Sequence, residues 1–99
     1  MITITRTASI APGKTGNAIA FGHQVAKYIK EKHGTSLEVM MPIGGNPARI
    51  AWYTRYESLA QWEALTGKLL ADKDYLALTA KHSDTFLPGS VHDHIWRTI

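Results

Sequence analysis

His92-Asp93-His94 is the segment of this chain whose residue types and spacing most directly invite chemistry. In an extended strand, side chains two apart project to one face, so the two imidazoles stand together while Asp93 points away. Such a pair can act as acid and base near neutral pH, serve as neutral hydrogen-bonding groups, or hold a divalent ion once a third ligand joins it. Glu38 is the available third ligand, but local spacing supplies none, and no metal is assigned. His23, His33 and His82 fall on or beside helical patterns and read as structural, His33 at a helix end and His82 in a solvated last turn. Gly44-Gly45-Asn46-Pro47 has the composition of a phosphate loop, yet it joins two strand patterns with no helix after it and is a turn.

The elements that must position the histidines follow from periodicity. Ile2 to Ile10 alternates apolar and hydroxyl residues and reads as a half-buried strand closed by Pro12-Gly13. Thr15 or Asn17 can cap a helix whose stripe is Ala18, Phe21, Gly22, Val25, Tyr28 and Ile29, with Gly34 as its stop. Ser36 to Ile43 and Arg49 to Tyr56 read as the second and third strands, antiparallel across the glycine turn. Ser58-Leu59-Ala60-Gln61 is a capping box that starts a second helix with Leu59, Trp62, Leu65 and Leu69 inward; Asp72 or Asp74 re-caps a further segment ending near Phe86. Ser90 to Thr98 is the last strand. The order is βαββαβ, a ferredoxin-like α+β arrangement with a four-stranded antiparallel sheet and helices on one face.

The 99 residues, 44% of them hydrophobic, support one core and hence one domain over 1–99. The net charge of +3 comes from interspersed residues; Lys27, Lys30 and Lys32 sit where a helix end favours cations, so no nucleic-acid partner is expected. Zero cysteines remove disulfide and thiolate chemistry. No apolar run approaches the roughly 20 residues of a membrane span and the first strand is no signal peptide, so the expectation is a cytoplasmic protein with no membrane partner.

A sheet with helices on one face leaves the other face to be solvated, covered or used. Alternation assigns Ile2, Ile4, Ala8, Ile10, Leu37, Val39, Met41, Ile43, Val91 and Ile95 to the helix side. The opposite face then collects Thr3, Thr5, Thr7, Glu38, Met40, Trp52, Thr54, Tyr56, His92, His94 and Trp96. So much apolar surface calls for a second copy packed sheet to sheet, with a cavity lined by these hydroxyl, imidazole and aromatic groups. This assignment sets Arg6, Arg55, Asp93 and Arg97 on the helix side, where they need partners, and an Arg-Asp network near the sheet edge would supply them. In the inverted register Arg6, Tyr53, Arg55 and Arg97 line the cavity and the ligand is anionic.

Arg6-Thr7-Ala8-Ser9-Ile10-Ala11-Pro12-Gly13-Lys14, Arg55-Tyr56-Glu57-Ser58-Leu59 and the run Leu70-Ala71-Asp72-Lys73-Asp74-Tyr75 together resemble the signatures of NIPSNAP-type members of the dimeric α+β barrel superfamily. The resemblance implies a homodimer, and small-molecule sites between the sheet and the helices of each subunit, as in the related antibiotic-biosynthesis-monooxygenase and haem-degrading proteins. It departs at Ala8, where the family commonly has Tyr, and at Trp52 and Thr54, where it commonly has His and Trp. No haem ligand is matched, and no cofactor is assigned.

Two readings stand open. One is a homodimeric small-molecule-binding barrel, in the form the resemblance implies a cofactor-independent oxygenase or related enzyme of secondary metabolism, with His92 and His94 acting among Trp52, Thr54, Tyr56, Trp96, Thr5, Glu38 and Met40. The other is a non-enzymatic accessory protein whose sheet face only forms the dimer core.

Overall fold

The computed structural model describes residues 1–99. Its first strand, β1 (Ile2–Ser9), buries Ile2, Ile4 and Ala8 and leaves the intervening threonines half-covered, as their alternation requires. After the Pro12-Gly13 turn, α1 (Thr15–His33) begins behind Lys14 with no side-chain cap; Thr15 is its first helical residue rather than its cap. Ala18, Phe21, Gly22, Val25 and Ile29 form its buried stripe. The left-handed backbone of Gly34, at φ 75°, ends it and points the Gly34 amide at the Lys30 carbonyl, 3.1 Å away.

The second strand, β2 (Glu38–Met40), is shorter than its sequence pattern at both ends; at its C-terminal end Pro42 cannot donate to a ladder, and Met41 and Ile43 run on outside the sheet, Ile43 fully exposed. The third, β3 (Arg49–Tyr56), has the expected bounds. Gln61 Oε1 accepts from the amides of Glu57 and Ser58 at 2.9 and 3.3 Å and starts α2 (Leu59–Leu70). Asp72 caps α3 (Lys73–Lys81), its Oδ1 accepting from the amides of Asp74 and Tyr75 at 3.1 Å. A 3-10 turn, Ser83–Thr85, leads to Phe86, which bridges Ile10 beyond the end of β1. The last strand, β4 (His92–Arg97), is exposed along its whole length. No helix is long and apolar enough to cross a membrane.

The four strands form one antiparallel sheet in the order β2-β3-β1-β4. The pairing lines residues up in rows across it. Val39, Trp52, Arg6 and Asp93 make one row on the helix side; Glu38, Tyr53, Thr5 and His94 make the next on the open face. The expected faces of β1, β2 and β4 are observed, but that of β3 is inverted. Its Arg6↔Trp52 pairing puts Ile50, Trp52 and Thr54 under the helices, all nearly inaccessible, and turns Tyr53 and Arg55 outward.

Trp52 lies so far under α1 that its indole N–H donates to the Gly22 carbonyl at 3.2 Å. Only glycine allows this approach: a Cβ at residue 22 would stand 2.9 Å from Ile50 Cδ1 and 3.0 Å from Val39 Cγ1. Gly67, in α2, has open space around it instead. The same substitution should therefore have opposite signs at the two sites. Gly22→Ala gains about 1 kcal/mol of helix propensity but presses a Cβ onto the Ile50 and Val39 methyls, which must shift at a cost of about 1–3 kcal/mol, so it lowers the melting temperature. Gly67→Ala keeps only the propensity gain, up to about 1 kcal/mol, and raises it. Thermal melts of the two variants check this, and a parallel shift in one direction would contradict the packing assignment.

Candidate functional site

Between the helix side of the sheet and α2, α3 and the 3-10 segment lies a cavity of about 300 Å³. Its floor is the sheet, with Ile4, Arg6, Trp52 and Thr54; α1 contributes Phe21 and Val25. The roof carries Tyr75 and Thr79 from α3, then His82, Ser83 and Phe86. Phe21 is the hub of an aromatic wall, with ring centroids 5.0 Å from His82, 5.5 Å from Phe86 and 6.1 Å from Trp52. The roof segment is tied down at the end of β1, where the amides of Ala11 and Leu87 donate to the carbonyls of Thr85 and Ser9, both at 2.9 Å.

One edge of the cavity is polar. Arg6 donates from Nε and Nη2 to the two carboxylate oxygens of Asp93, its cross-strand partner, at 2.7 and 2.8 Å. This bidentate pair raises the guanidinium's pKa and holds the Asp93 carboxyl below the usual carboxylate range. The Tyr75 hydroxyl lies beside Arg6. Burial, opposed by Arg6 and helped by the Asp93 charge, pushes its pKa up, so it remains a neutral phenol able to donate a hydrogen bond. The cavity thus offers aromatic faces for a flat molecule, a donor edge, and the imidazole of His82 against Phe21.

The sequence-derived candidates separate onto two surfaces. Trp52 and Thr54 line the cavity, on the opposite side of the sheet from their expected face. Tyr56 lies on the helix side as well, bonded to the Thr35 hydroxyl and packed against Trp62. Arg6 faces the cavity with Asp93 behind it, and the expected Arg-Asp network is this pair; Arg97 is exposed on the same side of β4. Arg55, expected on the helix side, is on the open face with Tyr53, Thr5, Glu38, Met40, His92, His94 and Trp96. The His92 and His94 rings are 5.9 Å apart. Glu38 cannot join them: it is three strand spacings from His94, about 14 Å, and no cluster of three metal-binding side chains exists. His82, expected in a solvated turn, is half-buried in the cavity wall. Its signal was present in the chain, since Tyr75, Thr79 and His82 recur at helical spacing.

A second polar cluster fastens the roof. Asp72 Oδ2 accepts from the Tyr28 hydroxyl at 2.7 Å and contacts His33 Nε2 at 2.9 Å, while its Oδ1 caps α3. One carboxylate therefore joins the C-terminal half of α1 to the first turn of the helix that carries Tyr75. The hydrogen bonds from Tyr28 and His33 hold the Asp72 pKa far below the ordinary range, and the Tyr28 phenol is pushed up to about 12.

No protein-family model matches the sequence, and no curated protein does. Solved structures do share its fold. A NIPSNAP domain protein from Burkholderia xenovorans superposes with a TM-score of 0.83 at 17% identity, over 100% of this chain and 95% of that one. A NIPSNAP family protein from Agrobacterium tumefaciens gives 0.82 at 18% identity, over 99% and 87%. A candidate antibiotic biosynthesis monooxygenase from Deinococcus radiodurans gives 0.72 at 10% identity, over 99% and 92%. The NIPSNAP-like α+β fold implied by the sequence resemblance is the fold observed, and at these identities the likeness is one of fold alone.

Asp72→Asn should preserve the α3 cap, because asparagine caps equally well, while removing the charge that Tyr28 and His33 share. A depressed folded-state pKa contributes stability that is present above the unfolded value, about 3.9, and lost as pH falls toward the folded one. The variant should melt lower than wild type at neutral pH, and the gap should close as pH drops below about 4. Melts across that window decide it; a gap that widens in acid would contradict the assignment.

Proposed function

We propose that this protein is a homodimeric small-molecule-binding α+β barrel in which each subunit seats a ligand between its sheet and helices. The observation that carries the reading is the 300 Å³ cavity itself: aromatic and aliphatic walls around a few converging polar groups, Arg6, Tyr75, Thr79 and His82. A filled interior would favour the accessory-protein alternative. The finer form, a cofactor-independent oxygenase, draws support from the monooxygenase naming of two fold neighbours and from a cavity that would stack a conjugated ring beside a phenol and an imidazole. In this reading Trp52, Thr54 and Arg6 belong to the ligand site, and His92, His94 and Trp96 to the dimer face.

The dimer half of the proposal rests on the open face. Trp96 is 66% exposed there, beside Thr3 of β1, and Met40 is exposed on the same face at the opposite edge strand. A single small domain rarely presents such surface to water. Sheet-to-sheet packing of a second copy would bury it.

Calorimetric titration with 2-naphthol tests the cavity. Wild type should show saturable binding, Thr79→Trp, which fills the cavity from the roof, should weaken it by about tenfold or more, and His92→Ala and His94→Ala should leave it unchanged. Binding lost in the histidine variants and retained in Thr79→Trp would move the site to the open face. For the dimer, sedimentation equilibrium at micromolar concentration should report twice the 11.0 kDa chain mass. Trp96→Asp should raise the dissociation constant by roughly thirty-fold, the loss of about 2 kcal/mol expected at an interface hot spot. A folded wild-type monomer at that concentration would overturn the dimer.

A further inference from the structure

The geometry points to Asp93 as the residue that sets the charge of the ligand: by occupying the Arg6 guanidinium from the edge strand, it restricts the cavity to uncharged conjugated molecules carrying a hydroxyl or carbonyl at one edge. The inference rests on the cavity being the ligand site.

Arg6 alone would be an anion receptor. It is the one lysine or arginine in the lining, its walls are largely apolar, and a guanidinium fork matches a carboxylate or phosphate. The fork is already filled. Nε and Nη2 each bond one oxygen of Asp93, the residue directly opposite in the β1–β4 ladder. A ligand carboxylate reaching the remaining N–H groups would meet the Asp93 charge just behind them. The Asp93 charge offsets part of the attraction to Arg6, while the anion still loses its hydration on entering the cavity. A neutral oxygen meets no such penalty, because the free guanidinium N–H groups and the Tyr75 hydroxyl remain donors.

The other groups facing the cavity do not restore a positive charge near Arg6. Tyr75 stays a neutral phenol. His82 lies about 10 Å along the α3 run from Tyr75 and packs at a tilt against Phe21, ring centroids 5.0 Å apart. Asp93 itself carries little of the fold. It belongs to an exposed edge strand, and the pair is about one-third solvent-accessible (35% and 32%), the setting in which an ion pair adds little to stability. Its neighbours His92 and His94 point to the other face. What Asp93 does for the molecule is neutralise Arg6.

The test uses two probes of one shape, 2-naphthamide and 2-naphthoate, titrated calorimetrically at neutral pH. Wild type should bind the amide about tenfold or more tightly than the carboxylate. Asp93→Asn, which keeps a hydrogen-bonding side chain but frees the positive charge, should reverse the order and make carboxylate binding sensitive to salt. The double variant Arg6→Gln/Asp93→Asn should lose that gain. Wild-type binding of 2-naphthoate as tight as that of 2-naphthamide overturns the inference and leaves the ligand site standing. An unchanged preference in Asp93→Asn, with wild-type circular dichroism and melting, overturns it as well. Failure of both probes to bind any of the three proteins removes the ligand site and this inference together.

Discussion

The fold depends on Trp52 packing beneath α1. That placement requires a glycine at residue 22, where any Cβ would collide with Ile50 and Val39, and it satisfies the indole N–H on the Gly22 carbonyl. It also sets the phase of β3. With Trp52 inward, Ile50 and Thr54 must be inward too, and Tyr53 and Arg55 must face out. The aromatic wall of the cavity then follows, because Phe21 and Phe86 both pack edge-on against the indole. A one-residue slip in this strand would move the tryptophan to the open face and empty the space under α1.

Because a strand's side chains alternate, a sheet covered on one side must divide its chemistry between two surfaces. Here the helix side holds an aromatic cavity with one neutralised ion pair, and the open face holds hydroxyls, imidazoles and an exposed tryptophan. Asp93 sits between His92 and His94 in sequence and yet serves the other surface. The roof of the cavity has no fully buried residue in α3, so its position depends on directed bonds: Asp72 to Tyr28 and His33 at one end, the Ile10–Phe86 bridge at the other. Polar clasps hold a segment that apolar packing alone would leave loose.

Much of this was legible in the chain, and the reasons are local. The Ile-Thr alternation, the Gly34 stop, the Ser58–Gln61 cap and the glycine turn each act within a few residues, and they placed β1, α1, β3 and α2. The phase of β3 was only partly legible, since Ile50 and Trp52 share one parity and Arg49 and Arg55 the other, but Tyr53 and Tyr56 put an aromatic on each. Only pairing with β1, more than forty residues away, resolves that ambiguity. The clasp of Asp72 with Tyr28 and His33 spans 44 and 39 residues and leaves no periodic trace. His82 was within reach, being on the helical repeat of Tyr75 and Thr79. Its polarity argued for solvent, and the aromatic face of Phe21 that receives it belongs to a distant helix.

The three tryptophans report separately on the two surfaces, since Trp52 and Trp62 line the cavity and Trp96 stands on the open face. Fluorine NMR of protein labelled with 5-fluorotryptophan, with each resonance assigned by Trp→Phe substitution, therefore tests the division of labour in one experiment. Addition of 2-naphthamide should shift the Trp52 and Trp62 resonances and leave Trp96 in place, whereas dilution through the dimer dissociation range should move Trp96 alone. A ligand that shifts Trp96 while Trp52 and Trp62 stay fixed would contradict the account.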